Sequence, residues 1–269
     1  MRYGPLGQSG LLVSVVGLGC NNFGARLDVD GTRAVVDAAI DAGITLFDTS
    51  DTYGGGGGSE RALGEILGSR RDQVVLATKF GGRGVDMGYG PAAGAKGGRA
   101  YIRRAVTGSL RRLRTDYIDL YQLHVPDPVT PVEETLAALH ELVTEGKVRY
   151  IGQSNFSGWQ LADAAHLAAR NGHTPFISAQ NHWSLLERQA EAEVVAPAMT
   201  EAQPGCAARP PMAISRTDTS RCAPQAMSAS TLSSLSSVTY PERAASRVPG
   251  GISSPRRTLP VSSPFASGK

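Results

Sequence analysis

The sequence predicts a parallel α/β fold of the (β/α)₈ TIM-barrel type, with about six recognisable β/α units. Strand and helix patterns alternate along the first 200 residues, and most connections between them are short. The predicted strand at residues 74–79 is a continuous apolar run, which is typical of a parallel sheet covered on both faces. Ionisable side chains end three successive strands, and in a barrel these strand ends open on one face.

The expected elements start with a hairpin over residues 1–13, which turns around Gln8–Gly10. Predicted strands follow at residues 14–19, 44–48, 74–79, 117–124, 148–154 and 176–180. Predicted helices lie at residues 30–40, 60–67, 99–114, 131–145, 157–169 and from 190 onward. Thr130–Glu133 and Ser157–Gln160 have the pattern of capping boxes at helix starts. The glycine-rich segment 80–98 is too long for a routine connection, which predicts a functional loop.

A doubly wound sheet is the alternative architecture for this pattern. It would place a glycine-rich phosphate loop directly after its first strand. Residues 17–24 contain two glycines of that fingerprint, but the third is displaced by two positions. No helix pattern starts there, and no acidic residue follows in the required register. We therefore prefer the barrel.

Composition narrows the class of protein. The chain has 269 residues, of which 41% are hydrophobic, enough for a sizeable core. No apolar run suits a membrane helix and no secretory signal is visible, so we expect a cytoplasmic protein. Three scattered cysteines predict neither disulfides nor a metal site. The net charge of +3 comes from the last quarter, since residues 1–200 hold 19 basic and 21 acidic side chains. We expect no nucleic-acid or membrane partner.

Four side chains are placed for chemistry at the strand ends. Asp48 ends the second strand, Lys79 the third and His124 the fourth, and Tyr53 follows in the loop after Asp48. Each alone has an ordinary alternative: a turn acid, a lysine at the sheet edge, a core histidine or a surface tyrosine. Their occurrence in this order and register favours a shared site.

The motifs resemble those of the aldo/keto reductase superfamily over about residues 1–199. The matching stretches are Gly17–Gly19, Phe47–Gly54, Ser59–Glu60, Leu63–Gly64, Lys79–Phe80, Leu113–His124, Gly146–Phe156 and Gln180–Asn181. The resemblance implies a (β/α)₈ barrel that binds NADPH in an extended form and reduces small aldehydes and ketones. NADH is the alternative cofactor.

The resemblance also implies residue roles. The catalytic set would be Asp48, Tyr53, Lys79 and His124, with Tyr53 as general acid. A phenol, with a pKa of about 10, needs a nearby cation to exchange protons at neutral pH. Lys79 would supply that cation, Asp48 would hold it, and His124 would orient the carbonyl. Cofactor contacts are implied at Gly19, Cys20, Asn21, Asp48, Ser154, Asn155 and Gln180, and no metal is expected.

Residues 200–269 depart from the family pattern. They contain nine of the chain's 16 prolines, and they also contain 14 serines. Their apolar residues show neither helix nor strand periodicity. This composition predicts a disordered tail. Two explanations stay open: a native flexible tail, or a reading frame lost near residues 196–202. The family's last two β/α units and its cofactor-clamping loops are not recognisable there, which predicts weak NADPH binding.

Three functions therefore compete. The first is an NADPH-dependent carbonyl reductase. The second is a non-catalytic subunit of the same fold that binds a nicotinamide nucleotide and regulates a partner. The third is an unfolded relic of a gene.

Overall fold

The computed structural model of the protein describes residues 1–195. Its strands are β1 (Tyr3–Pro5), β2 (Leu12–Ser14), β3 (Gly17–Gly19), β4 (Leu46–Asp48), β5 (Val75–Phe80), β6 (Ile118–Leu123), β7 (Val148–Ser154) and β8 (Phe176–Gln180). Its helices are α1 (Val29–Asp41), α2 (Tyr53–Gly56), α3 (Gly58–Leu67), α4 (Arg99–Leu113), α5 (Val132–Thr144) and α6 (Gly158–Asn171). Short 3₁₀-helices lie at Gly68–Gln73 and Pro91–Ala93, and a π-helical turn lies at Glu191–Val195.

The strand order decides between the two predicted architectures. The six-stranded sheet has the order β3-β4-β5-β6-β7-β8, and every neighbouring pair is parallel. A doubly wound sheet would reverse its strand order at a switch point, whereas a barrel adds each strand beside the previous one. The sheet is therefore of the predicted barrel type.

The hairpin formed by β1 and β2 covers the amino-terminal end of this sheet. Leu6, Leu11 and Val13 of the hairpin form one apolar cluster with Ala77 and Leu120, which lie on β5 and β6. Burying a large apolar side chain stabilises a fold by about 1.5–3 kcal/mol. The carboxyl ends of the strands lie opposite this cluster, at the end where Asp48 and Lys79 stand.

Of the two predicted capping boxes one is observed, and α1 has a cap at Asp28 that was not predicted from the sequence. Asp28 begins α1, where its Oδ1 accepts a hydrogen bond from Gly31 N at 2.8 Å. At α6, Gln160 Oε1 accepts from Ser157 N at 3.0 Å, as in a capping box. The capping box predicted at Thr130 is wrong. Thr130 Oγ1 donates instead to Asp127 Oδ2 at 2.8 Å, and Pro131 stands at the cap.

The main core lies between the helices and the outer face of the sheet. Helix α5 shows how the sequence produces it, because Leu136, Leu139 and Leu142 recur at helical spacing and are all fully buried. The predicted helix from residue 190 is observed as the turn Glu191–Val195. Its remainder, the predicted domain boundary at 199/200 and the predicted tail lie outside the described residues. Within residues 1–195, no helix is long and apolar enough to cross a membrane.

Gly64 on α3 packs closely against the backbone at the end of α4. A Cβ atom there would lie 2.3 Å from Arg112 O and 2.7 Å from Leu113 C, both of which are backbone atoms. We therefore expect Gly64→Ala to destabilise the protein by about 1–3 kcal/mol. In an ordinary helix, replacing glycine with alanine stabilises the fold by about 1 kcal/mol. At position 64 the steric clash would outweigh that gain.

Urea denaturation followed by circular dichroism measures this effect. Gly4→Ala is the control, because no heavy atom lies within 4 Å of its added Cβ. Equal stabilities of the two variants would contradict the close helix contact.

Candidate active site

A buried ion pair forms the base of the site. Lys79 on β5 is 1% exposed, and its Nζ donates to Asp48 Oδ1 at 2.7 Å and Oδ2 at 2.8 Å. Thr49 O accepts a third hydrogen bond at 3.2 Å, so the ammonium group has three acceptor atoms around it. Burial, the largest single effect, lowers the pKa of Lys79, but the charges of Asp48 and Tyr53 and their hydrogen bonds together leave the pKa raised. Lys79 is therefore a permanent cation at neutral pH.

Tyr53 and His124 lie over this pair. Lys79 Nζ is 5.2 Å from the centroid of the Tyr53 ring. The Tyr53 and His124 rings meet edge to face, with centroids 5.8 Å apart and an angle of 85° between their planes. The structure thus brings together all four residues that the sequence predicted as a catalytic set.

The segment directly after Tyr53 packs closely against the loop that follows β3. Gly54 has φ +67°, and a Cβ atom there would lie 2.6 Å from Phe23 O. Only a residue without a side chain adopts this backbone at so close a contact. The chain next to Tyr53 therefore requires glycine at position 54.

Burial changes the acid–base behaviour of Tyr53 and His124. Burial raises the pKa of Tyr53 above its usual value, against the lowering effect of the Lys79 charge. Burial, followed by the Lys79 charge, lowers the pKa of His124 to about 4. At neutral pH, Tyr53 is therefore a protonated phenol and His124 an uncharged imidazole.

The predicted cofactor residues at the ends of β7 and β8 form one hydrogen-bonded group. Ser154 Oγ donates to Gln180 O at 2.6 Å, and Asn155 Nδ2 donates to His124 O at 2.9 Å. Gln180 Nε2 donates to Asp48 Oδ2 at 2.9 Å, which ties β8 to the ion pair. Asn155 has φ +61° and is exposed, and none of the contacts described for residues 1–195 uses its Oδ1.

The remaining predicted cofactor residues lie where β3 ends beside β4. Gly19 pairs with Asp48 in the sheet register and is exposed. Cys20 is buried, and its backbone N–H donates to Asp48 O at 2.8 Å. Asn21 follows and is partly exposed. Asp48 is itself one of the seven predicted cofactor residues, and the other six border the Asp48–Lys79 pair from two sides, at the end of β3 and at the ends of β7 and β8.

Sequence reasoning missed a second buried polar cluster beside the first. Glu60 on α3 is fully buried, and it accepts hydrogen bonds at 2.6 Å from Arg112 Nε and from Thr78 Oγ1. Asp51 is also fully buried, and its Oδ2 has no hydrogen-bond partner in the described part of the chain. Burial, together with the charge of Glu60, raises the pKa of Asp51 to about 7. The sequence contained a signal for this cluster, because Asp51 lies in the motif Phe47–Gly54 and Glu60 in the motif Ser59–Glu60.

Comparison with known proteins identifies the family of the chain. The sequence profile of the Aldo/keto reductase family matches residues 15–213. The chain belongs to this family. It is thus related to oxidoreductases, and the predicted resemblance is confirmed.

Among the relatives of this chain, the "Uncharacterized oxidoreductase YrpG" of Bacillus subtilis is 42% identical over 220 residues, covering 79% of this chain and 67% of the relative. "Versiconal hemiacetal acetate reductase" of Aspergillus parasiticus is 36% identical over 217 residues, covering 72% of this chain and 63% of the relative. "Aldo-keto reductase YhdN" of Bacillus subtilis is 38% identical over 201 residues, covering 72% of this chain and 57% of the relative. The chain thus spans about two thirds or less of the length of these relatives.

The Lys79–Asp48 pair gives a stability test. Asp48→Asn would leave the buried ammonium without its counter-charge, so we expect a loss of about 3–5 kcal/mol in the free energy of unfolding. Asp37→Asn is the control, since Asp37 pairs with Arg70 at 2.6 Å while its side chain is 45% exposed. An exposed pair contributes about 0–1 kcal/mol. Urea denaturation measures the free energy of unfolding of both variants. Equal losses in the two would contradict the buried ion pair.

Proposed function

We propose that this chain reduces the carbonyl group of small aldehydes or ketones to an alcohol, with NADPH as the hydride donor. The observation that carries this proposal is the buried Lys79–Asp48 pair with Tyr53 and His124 above it. Relatives named as reductases support the same reaction class. NADH is the alternative donor.

The residues beside the pair suit a nicotinamide nucleotide. A carboxamide needs hydrogen-bond donors and acceptors, and Ser154, Asn155 and Gln180 offer both at the ends of β7 and β8. Asn155 is exposed, and its two hydrogen bonds described within residues 1–195 both use Nδ2. Its Oδ1 could therefore accept a hydrogen bond from the carboxamide. Gly19, Cys20 and Asn21 would hold the opposite side. When bound, the reduced nicotinamide supplies a hydride to the carbonyl carbon.

Tyr53 would supply the proton. As hydride arrives, negative charge builds on the carbonyl oxygen, and a proton donor at that oxygen stabilises it. The raised pKa of Tyr53 keeps its phenol protonated at neutral pH. The Lys79 ammonium, 5.2 Å from the ring centroid, would then stabilise the phenolate that forms.

Asp48 and His124 would set the geometry of this transfer. Asp48 holds Lys79 with both carboxylate oxygens, so the cation stays beneath Tyr53. His124 is neutral, with a pKa lowered to about 4, and can offer one ring N–H to the carbonyl oxygen. An uncharged donor binds the substrate oxygen without taking the role of proton donor from Tyr53.

Tyr53→Phe tests the proposal directly. It removes the proton donor and keeps the ring, so we expect NADPH oxidation with a simple aldehyde to fall by at least about 100-fold. The assay follows NADPH absorbance with the full chain at high cofactor concentration. Tyr117→Phe is the matched control, since its hydroxyl donates to Asp72 Oδ1 at 2.9 Å away from the site.

The outcome separates two of the candidate functions. A retained rate in Tyr53→Phe would contradict the mechanism. Cofactor binding without turnover in the unchanged chain would instead support the non-catalytic nucleotide-binding subunit.

We expect NADPH to bind weakly, with a dissociation constant above about 100 μM. The loops that would clamp the adenosine and its 2′-phosphate are not recognisable in the sequence after residue 200. For the same reason, NADPH and NADH should bind with similar affinity. Fluorescence titration with both nucleotides measures this, and a value of a few micromolar for NADPH would contradict the expectation.

A further inference from the structure

His124 is connected to the second buried cluster through Ser50. Ser50 is fully buried, and its Oγ lies 3.1 Å from His124 Nδ1 and 3.3 Å from Asp51 Oδ1. Thr52 N donates to the same oxygen at 3.2 Å. The three side chains Asp51, Ser50 and His124 therefore form a continuous hydrogen-bonded chain that ends at the candidate active site.

The hydroxyl of Ser50 has one proton to donate and two lone pairs that accept. One lone pair is taken by Thr52 N. The remaining donor and acceptor functions are shared among Asp51, His124 and Thr52 Oγ1, which lies 3.0 Å from the same oxygen and can donate or accept. When Thr52 Oγ1 directs its hydrogen bond elsewhere, Ser50 donates to one of Asp51 and His124 and accepts from the other. In that arrangement the protonation of the acid and the tautomer of the imidazole are coupled.

We propose that the chain Asp51–Ser50–His124 selects the ring tautomer of His124, which makes Ser50 and Asp51 positioning residues for the nitrogen that contacts the substrate. This inference rests on the proposed role of His124 in binding the carbonyl oxygen. It assigns a function to Ser50 and Asp51, neither of which lies in the predicted catalytic set.

Two states of the chain follow from the proton count. With Asp51 protonated, its O–H donates to Ser50, Ser50 donates to His124 Nδ1, and the ring proton stands on Nε2. With Asp51 ionised, Ser50 donates to the carboxylate, and His124 donates from Nδ1, so that Nε2 becomes an acceptor. Only the first state offers an N–H at Nε2 to a carbonyl oxygen.

The surroundings of Asp51 allow both states near neutral pH. Burial and the charge of Glu60 raise the pKa of Asp51 to about 7, and Arg112, the hydrogen bond from Ser50 and Lys96 oppose that shift. Its backbone N–H donates to Lys79 O on β5. Its other titratable neighbours are Tyr89, Tyr101 and Tyr121.

Charge on His124 does not interfere with this change. Burial, then Lys79, lowers its pKa to about 4, with smaller effects from Asp48 and Lys96. Tyr53 is its aromatic neighbour and stays protonated in the same range. Above pH 5.5 the imidazole is uncharged, so a change in its spectrum reports the tautomer.

Nitrogen-15 NMR of the full chain labelled at histidine tests the proposal without turnover. Protonated and bare ring nitrogens have well separated shifts, and a His124→Asn variant assigns the signal among the five histidines. We expect the proton on Nε2 at pH 6 and on Nδ1 at pH 8.5. The same tautomer at both values would overturn the proposal.

Ser50→Ala should abolish the pH dependence of the tautomer, because it breaks the chain. Ser14→Ala is the matched control, since Ser14 is a buried serine that donates to Val16 O, at the opposite end of the sheet. A pH-dependent tautomer in Ser50→Ala, equal to that in Ser14→Ala, would overturn the role of Ser50. If Ser50→Ala does not fold, Ser50→Thr keeps the hydroxyl and the unchanged chain still gives the decisive titration.

Kinetics distinguish this inference from the proposed function. With a pKa of about 7 for Asp51, the reduction rate should fall about tenfold from pH 6 to pH 8. In Asp51→Asn this fall should disappear. Turnover without a tautomer change overturns the inference and keeps the proposed function, whereas a tautomer change without turnover supports the inference and counts against the proposed function.

Discussion

The burial of the Lys79 ammonium group is the constraint on which the rest of the site depends. A buried cation is tolerated only when it is paired and hydrogen-bonded, and Asp48 meets both requirements with its two oxygens. Asp48 lies on β4 and Lys79 on β5, so their pairing requires the register that the parallel sheet provides. Gln180 adds a hydrogen bond to the same carboxylate from β8. One ion pair therefore links the chemistry to strands at both sides of the sheet.

A second consequence of burial is a division of acid–base properties. Tyr53 and His124 lie close to the same cation, yet burial raises the pKa of the phenol and lowers that of the imidazole. Burial disfavours the charged form of each group, which is an anion for tyrosine and a cation for histidine. The site thus holds two neutral hydrogen-bond donors over a fixed positive charge.

The sequence predicted the periodic and the repeated features well. Strand and helix positions within residues 1–195 follow from apolar periodicity, and the strand-end positions of Asp48, Lys79 and His124 follow from the parallel topology. The cap at Thr130 was wrong because a nearby acid, Asp127, competes for its hydroxyl. The Asp51–Ser50–His124 chain was not predictable, since it depends on side-chain orientations across 74 residues of sequence. The pKa of Tyr53 was also beyond sequence reasoning, because the effect of burial exceeds that of the nearby cation.

The sequential strand order has a consequence for how the molecule is made. Within residues 1–195, each strand of the sheet pairs only with the strands that come directly before and after it in the chain. Pairing successive strands spans fewer residues than a crossed strand order would, so each pairing closes a shorter loop and costs less chain entropy. During synthesis from the amino terminus, each β/α unit can dock on the units already formed. The Lys79–Asp48 pair becomes available once β5 has joined β4, so the most costly burial in the site is compensated early in this sequence of events.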